Sequence, residues 1–317
     1  MKRALLLLNM GGANNINEVE LFLRNMFSDK NILPINKVLR KFIGNIIISK
    51  RLDEVKENFE LIGGKSPLTT LTSELIDKLS TKLDMPIYMA MRYVPPFSKE
   101  ALLQLKKDWV GELILFPMYP QYSTTTTLSS IEDIQQICEE INYHPTIKVI
   151  DSYYDDFEYI KASYEQIIDA IKDKNSIEYD LLLSAHGLPV SIIKNGDPYE
   201  KQVEANVSAL KTYLKFKGLE FNNIKLVYQS KVGNSSWLEP SLVDTIRNPT
   251  NSKVIIYPLA FTIDNSETIF ELDIETREIA EKLKYDDFIV AKCFNSNNNQ
   301  FIDFIAKKVN YIKYNKP

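Results

Sequence analysis

Eight short apolar runs punctuate the chain, separated by longer amphipathic stretches. Four runs lie at 4–9, 86–91, 112–117 and 146–150. Four more lie at 179–184, 224–229, 253–258 and 287–292. Most are apolar throughout instead of alternating, which predicts strands covered on both faces, as in a parallel sheet. The intervening stretches predict helices over 16–27, 51–62, 70–82, 99–107, 131–140, 159–173, 202–215, 266–283 and 299–309. Strand–helix alternation of this kind indicates an α/β fold. Four strands precede residue 150 and four follow, so the expectation is two doubly wound halves, 1–150 and 151–317, meeting near 151–156. No Gly/Ser-rich linker marks the boundary, and firm packing of the halves is expected. The last helix, about 298–312, is a candidate to pack back on the first half.

In such sheets ligands bind beyond the carboxyl ends of the strands. Those ends fall at 10–12, 92–93, 119–123, 186–187, 230–231 and 261–267. Each is polar, aromatic or glycine-containing, and facing ends would form a cleft.

Composition narrows the chemistry. The 317 residues carry a net charge of −4, which argues against a nucleic-acid partner. Two cysteines, Cys138 and Cys293, exclude a disulfide framework and a Cys-rich zinc or iron–sulfur site, and suit a reducing compartment such as the cytoplasm. The opening MKRALLLLNMGG has too short an apolar run for a signal peptide and reads as a buried strand. No run of 18 apolar residues predicts a membrane span. Only two histidines occur, so imidazole chemistry has two candidates. His144 sits in a polar loop before a proline. His186, in DLLLSAHGLP, follows a buried strand and precedes a glycine, where a pocket rim is expected.

The segment DNSETIFELDIETREIAE places Glu267, Glu271, Glu275 and Glu278 at spacings of 4, 4 and 3, on one helix face. Such a row repels itself and costs stability as a bare solvated face. Glu267 opens the helix just after an apolar strand, near the strand ends that carry His186. Imidazole with carboxylate suits a borderline divalent metal such as iron, and also proton transfer. Arg51, Arg92, Tyr93, Tyr119, Tyr122, Tyr228, Lys231 and Trp237 lie near strand ends or helix starts, and together suit a large flat anionic ligand. Gly11–Gly12 lacks the further glycines of a dinucleotide or P-loop site.

These residues sit in segments that resemble the ferrochelatase family: LLNMGG, IGGKSPL, RYVPPF, YPQYSTTTT, SAHGLP, GDPY, YQSKVGNSSWLEP and PLAFTIDNSETIFELDIE, in family order from near the N-terminus to residue 275. The resemblance implies two Rossmann-like domains, each a four-stranded parallel sheet flanked by helices, around a porphyrin cleft. It implies insertion of Fe²⁺ into protoporphyrin IX to make protohaem, a lyase reaction that ends haem biosynthesis and releases two protons. His186 then matches the catalytic, metal-contacting histidine and Glu267 the facing carboxylate. Glu271 and Glu275 match an acidic proton or metal path, often on a widened helical turn, with Asp264 beside it. Met10, Arg51, Phe59, Ser66, Arg92, Tyr93, Pro189, Trp237 and Phe261 match positions that contact or frame the macrocycle. Fe²⁺ is then a substrate, with no cofactor and no iron–sulfur cluster implied, because the chain lacks the Cys-rich tail of some relatives. Asn265 stands where many relatives have histidine, so a second imidazole is missing there.

Alternatives are a coproporphyrin III ferrochelatase, a cobalt or nickel tetrapyrrole chelatase, a non-catalytic porphyrin or haem carrier, and a flavodoxin-like nucleotide module. A carrier needs no acidic path, so the glutamate row discriminates against it. The segment ILPINKVLRKFIGNIIISKR mixes apolar residues with Lys37, Arg40, Lys41, Lys50 and Arg51. It reads either as a pocket lid or as a peripheral membrane contact.

Overall fold

The computed structural model describes residues 1–231 and 236–314. Residues 232–235 of the YQSKVGNSSWLEP motif lie outside the described residues. Two compact units form: Met1–Ser152 together with residues 305–314, and Tyr153–Phe304.

In the first unit four strands, β1 (Lys2–Asn9), β2 (Ile87–Met91), β3 (Val110–Pro117) and β4 (Thr146–Val149), make a parallel sheet in the order β2-β1-β3-β4. In the second unit β5 (Asp180–His186), β6 (Asn223–Gln229), β7 (Lys253–Pro258) and β8 (Asp287–Val290) repeat the pattern as β6-β5-β7-β8. All eight expected strands are present and all pair in parallel. Continuous apolarity has the anticipated cause: Ala4, Leu6 and Leu8 of β1 pack against helices Ser98–Lys107 and Ser129–Glu140, while Leu5 and Leu7 are equally buried on the opposite side. In the second unit Leu182, Val254 and Ile256 pack against the helices Leu242–Arg247 and Thr276–Lys282.

Several helices differ from expectation. The helix placed at 51–62 begins at Lys37 and runs to Leu61. Asn36 caps it by accepting from Leu39 N. Arg40 then fastens its first turns by donating to the carbonyls of Ser28, Leu33 and Ile35. These partners are remote from any local helix signal. The helix placed at 202–215 is longer, Tyr199–Phe216, and short helices at Val190–Lys194 and Leu242–Arg247 were not anticipated. Two wide π turns interrupt helices: Thr124–Leu128 leads into Ser129–Glu140, and Phe270–Glu275 joins Ser266–Ile269 to Thr276–Lys282. Among the described residues no helix is long and apolar enough to cross a membrane.

The strand order has a functional consequence. In β2-β1-β3-β4 the winding reverses between β1 and β3, and in β6-β5-β7-β8 it reverses between β5 and β7. Open α/β sheets bind ligands at that reversal, beyond the carboxyl ends of the two strands. In the second unit those ends deliver His186, the last residue of β5, and the chain that leads from β7 to Glu267.

Candidate active site

The centre of the second unit is a contact between two side chains far apart in sequence. His186 Nδ1 lies 3.2 Å from Glu267 Oε2. Both atoms are shielded from solvent and have no aligned hydrogen-bond partner, although roughly a third of each side chain remains exposed. Burial pulls the imidazole pKa down; the Glu267 carboxylate, by charge and by contact, and Glu271 beyond it push it up. The net effect is a pKa raised above the ordinary 6.5.

Glu271 is one step further along the same helix. Ser230 Oγ donates to its Oε2, and Gln229 Nε2 approaches the same oxygen at 3.5 Å. Gln229 is itself held by Ser184 Oγ, which donates to Gln229 Oε1 at 3.1 Å. Burial, then repulsion from Glu267, raises the Glu271 carboxyl to about 7 against the opposing pull of Ser230 and His186. Glu275 follows at the exposed end of the row, and Glu278 pairs with Lys282 at 3.6 Å. The π turn keeps the row straight. In an α-helix a four-residue step overshoots a full turn by about 40°. A π turn holds more residues, so the same step falls short. Glu267 to Glu271 is mostly the first kind of step and Glu271 to Glu275 the second, so the two drifts oppose.

The helix carrying the row is fixed at its start. Asn265 accepts from Glu267 N at 2.8 Å and Thr268 N at 3.2 Å, and Thr268 Oγ1 accepts in return from Asn265 N at 3.0 Å. This reciprocal cap satisfies orphan donors of the first turn and sets the backbone of Glu267. The Asn265 side chain is thus a structural element where an imidazole was expected in relatives. Asp264 is buried, and its carboxylate accepts from Thr268 Oγ1, Cys293 N and Asn295 Nδ2 at 3.1, 3.2 and 2.7 Å. Its oxygens bracket the start of the helix that carries the glutamate row. After His186 the chain passes Gln229 so closely that a Cβ on Gly187 would lie 2.6 Å from the Gln229 carbonyl oxygen. Trp237 packs beside Gly187 and bridges to Pro189. Phe261 is half-buried beyond β7.

The first unit holds the other expected ligand residues. Tyr93 is fully buried, and its hydroxyl donates to Asp29 Oδ2 at 2.9 Å. Arg92 directs its guanidinium at Asp29 (3.3 Å), Asp133 (3.1 Å) and Ser129 Oγ (3.1 Å). The guanidinium so engaged ties the end of β2 to Asp29 and to helix Ser129–Glu140. Phe59 is packed in a core with Ala13, Val19, Leu23 and Ile48, and Ser66 is buried with its N–H on the Ala13 carbonyl. Phe59, Ser66 and Tyr93 are thus buried within the first unit, and Arg92 keeps about a quarter of its side chain exposed. Met10 and Arg51 are half-buried, with Arg51 Nε 3.9 Å from Glu54. Sequence reading missed Ser184 and Gln229, and marked Ser230 only as a strand end. The available signal was their position in SAHGLP and YQSKVG, at the ends of adjacent strands. Ser230 also adopts a φ of 65°, a left-handed conformation unusual for serine.

The ferrochelatase family model matches residues 2–311. A protein named ferrochelatase from Wolinella succinogenes is 45% identical over 311 residues, covering 98% of each chain. Proteins of the same name from Nitratiruptor sp. and Helicobacter pylori strain P12 are 46% identical over 306 residues and 42% over 315. These cover 96% and 98% of this chain, and 98% and 94% of the relatives. Among solved structures, SirB from Bacillus subtilis with Fe³⁺ superposes with a TM-score of 0.57 at 11% identity, over 99% of this chain and 98% of that one. CbiX, described as the terminal enzyme for biosynthesis of siroheme in denitrifying bacteria, gives 0.53 at 10%, over 98% and 99%. At such identities the two structures show a shared fold alone.

The electrostatics of the pair lead to a direct measurement. With two histidines in the chain, an imidazole NMR titration contains two signals. His186 is expected to titrate above pH 6.5, and Glu267→Gln is expected to lower its midpoint, because the upward pull weakens while burial remains. A midpoint unmoved or raised by that substitution would refute the assigned cause.

Proposed function

The chain belongs to the ferrochelatase family, and from that premise we propose that the His186–Glu267 pair is where it inserts Fe²⁺ into protoporphyrin IX. As a member of that family it is a lyase of haem biosynthesis that places iron in a porphyrin. The observation that carries the site assignment is the approach of a buried imidazole nitrogen and a buried carboxylate oxygen, without other partners, at the sheet's switch point.

Insertion exchanges two pyrrole protons of the porphyrin for one Fe²⁺. A pyrrole lone pair must turn out of the ring plane before the metal enters, so a surface that binds the bent macrocycle better than the flat one lowers the barrier. One borderline nitrogen and one oxygen suit Fe²⁺ as an incoming substrate. In its neutral form His186 accepts one of the two pyrrole protons, and the Glu271–Glu275 row passes both on to solvent. Glu271, with a carboxyl near 7, is poised to take a proton at neutral pH, and Glu275 lies at the exposed end of the row. In this reading Fe²⁺ enters and leaves as substrate and product, and the chain keeps no cofactor of its own.

Met10, Arg51, Pro189, Trp237 and Phe261 are assigned to macrocycle contact, with Phe59, Ser66, Arg92 and Tyr93 behind them. Protoporphyrin IX is favoured over coproporphyrin III because the latter's two extra carboxylates need free cations. Arg92 is already paired with Asp29 and Asp133, and Arg40 with three backbone carbonyls.

The helix Lys37–Leu61 supports a peripheral membrane contact. Val38 (81% exposed), Leu39, Phe42 (63%) and Ile46 share a face of its first half, with Lys37, Lys41 and Lys50 exposed nearby. An apolar face flanked by basic residues fits an anionic lipid surface, from which an apolar porphyrin partitions. The proposed location is cytoplasmic, at such a surface.

Under anaerobic conditions with Fe²⁺, turnover is expected to be at least tenfold faster with protoporphyrin IX than with coproporphyrin III. His186→Ala should slow it about 100-fold or more while porphyrin binding survives, both followed by porphyrin fluorescence. Near-wild-type turnover in that variant would remove His186 from the reaction, and the reverse porphyrin preference would change the substrate. Vesicles containing anionic lipid should float the protein, and Phe42→Ser should weaken that flotation. Flotation identical for the two proteins, or none, would make the helix a lid alone.

A further inference from the structure

The GDPY segment, 196–199, is a motif for which the insertion chemistry itself offers no role. Its geometry gives it one. Gly196 has a φ of 98°, and a Cβ there would meet nothing within 4 Å, so glycine serves the backbone turn. Asp197 is buried and its Oδ1 accepts from Tyr199 N at 2.9 Å, which fixes the start of the helix Tyr199–Phe216. Tyr199, the first residue of that helix, is itself buried and donates its hydroxyl to the carbonyl oxygen of His186 at 2.9 Å.

The partner on the other side of the same peptide group is equally defined. Gly187 N donates to the Gln229 carbonyl at 2.8 Å. The His186 carbonyl and the Gly187 N–H belong to one peptide plane. With Tyr199 on its oxygen and Gln229 on its nitrogen, that plane is held at both ends. His186 lies where the ladder of β5 runs out, and the Tyr199 hydroxyl replaces the strand rung its carbonyl would otherwise lack. Burial, then the neighbouring Tyr228 and Glu267, push the Tyr199 hydroxyl well above the ordinary range, so it remains a protonated donor. We infer that Tyr199 is a positioning residue for iron insertion: its hydrogen bond to the His186 carbonyl fixes the backbone from which the imidazole meets Glu267. The inference rests on His186 acting at the reacting centre, and it extends that reading to a residue that need not touch porphyrin or iron.

Tyr199→Phe keeps the ring and removes the donor. A lost hydrogen bond of ordinary strength corresponds to a five- to tenfold fall in kcat, with the porphyrin KM within twofold of wild type. At one fixed pH, the His186 imidazole NMR signal should move or broaden while the His144 signal stays in place. Asp197→Ala, which loosens the turn but leaves the tyrosine, should change both readouts in the same direction by a smaller factor, and serves if Tyr199→Phe does not fold. An unchanged kcat, a change confined to KM, or an unmoved His186 signal in a folded variant would overturn the inference. The NMR readout does not depend on turnover. Were His186→Ala to retain activity, the reading of the site would fall while the positional effect of Tyr199 on His186 remained measurable.

Discussion

Two polar atoms shielded from water, one on an imidazole and one on a carboxylate, face each other at 3.2 Å where two strands of a parallel sheet end. Groups of this kind are costly to bury without full hydrogen bonding. Much of the surrounding structure keeps them in place. The switch point between β5 and β7 brings the two chain segments together. The reciprocal cap of Asn265 and Thr268 and the bracket of Asp264 fix the carboxylate side. The glycine at 187 and the strand-end hydrogen bonds fix the imidazole side.

The two units use one topology for different ends. Each reverses its winding between its two central strands, and in each the helix after the second of these strands contains a π turn near its start, Thr124–Leu128 in one and Phe270–Glu275 in the other. In the second unit the wide turn aligns carboxylates. In the first, the Asp29–Arg92–Tyr93–Ser129 cluster joins the turn after helix Glu18–Ser28 to the end of β2 and the start of helix Ser129–Glu140.

Reading the chain alone recovers what depends on neighbours in sequence. The eight apolar runs are legible because a strand buried on both faces must be apolar throughout, and the sheet supplies that environment in both units. The candidate pair was legible for a related reason: strand ends are where doubly wound sheets bind, and few histidines compete for the role. What stayed hidden depends on partners remote in sequence. The partners of Arg40, Arg92 and Asp264 are groups brought near only by folding, and no local pattern announces them. The burial of Tyr93 and Phe59 likewise depends on packing partners that are distant along the chain. The π turns were invisible as periodicity, since a spacing of four fits an α-helix equally well.

The central claim is that His186 and Glu267 act as one unit. A double-mutant cycle tests it most directly, comparing initial rates of iron insertion for wild type, His186→Ala, Glu267→Gln and the double variant. Residues that work jointly are strongly non-additive. The account predicts that the double variant is within about threefold of the slower single variant. A double variant whose loss equals the product of the two single losses would contradict it, and would make the 3.2 Å contact a neighbourhood without shared function.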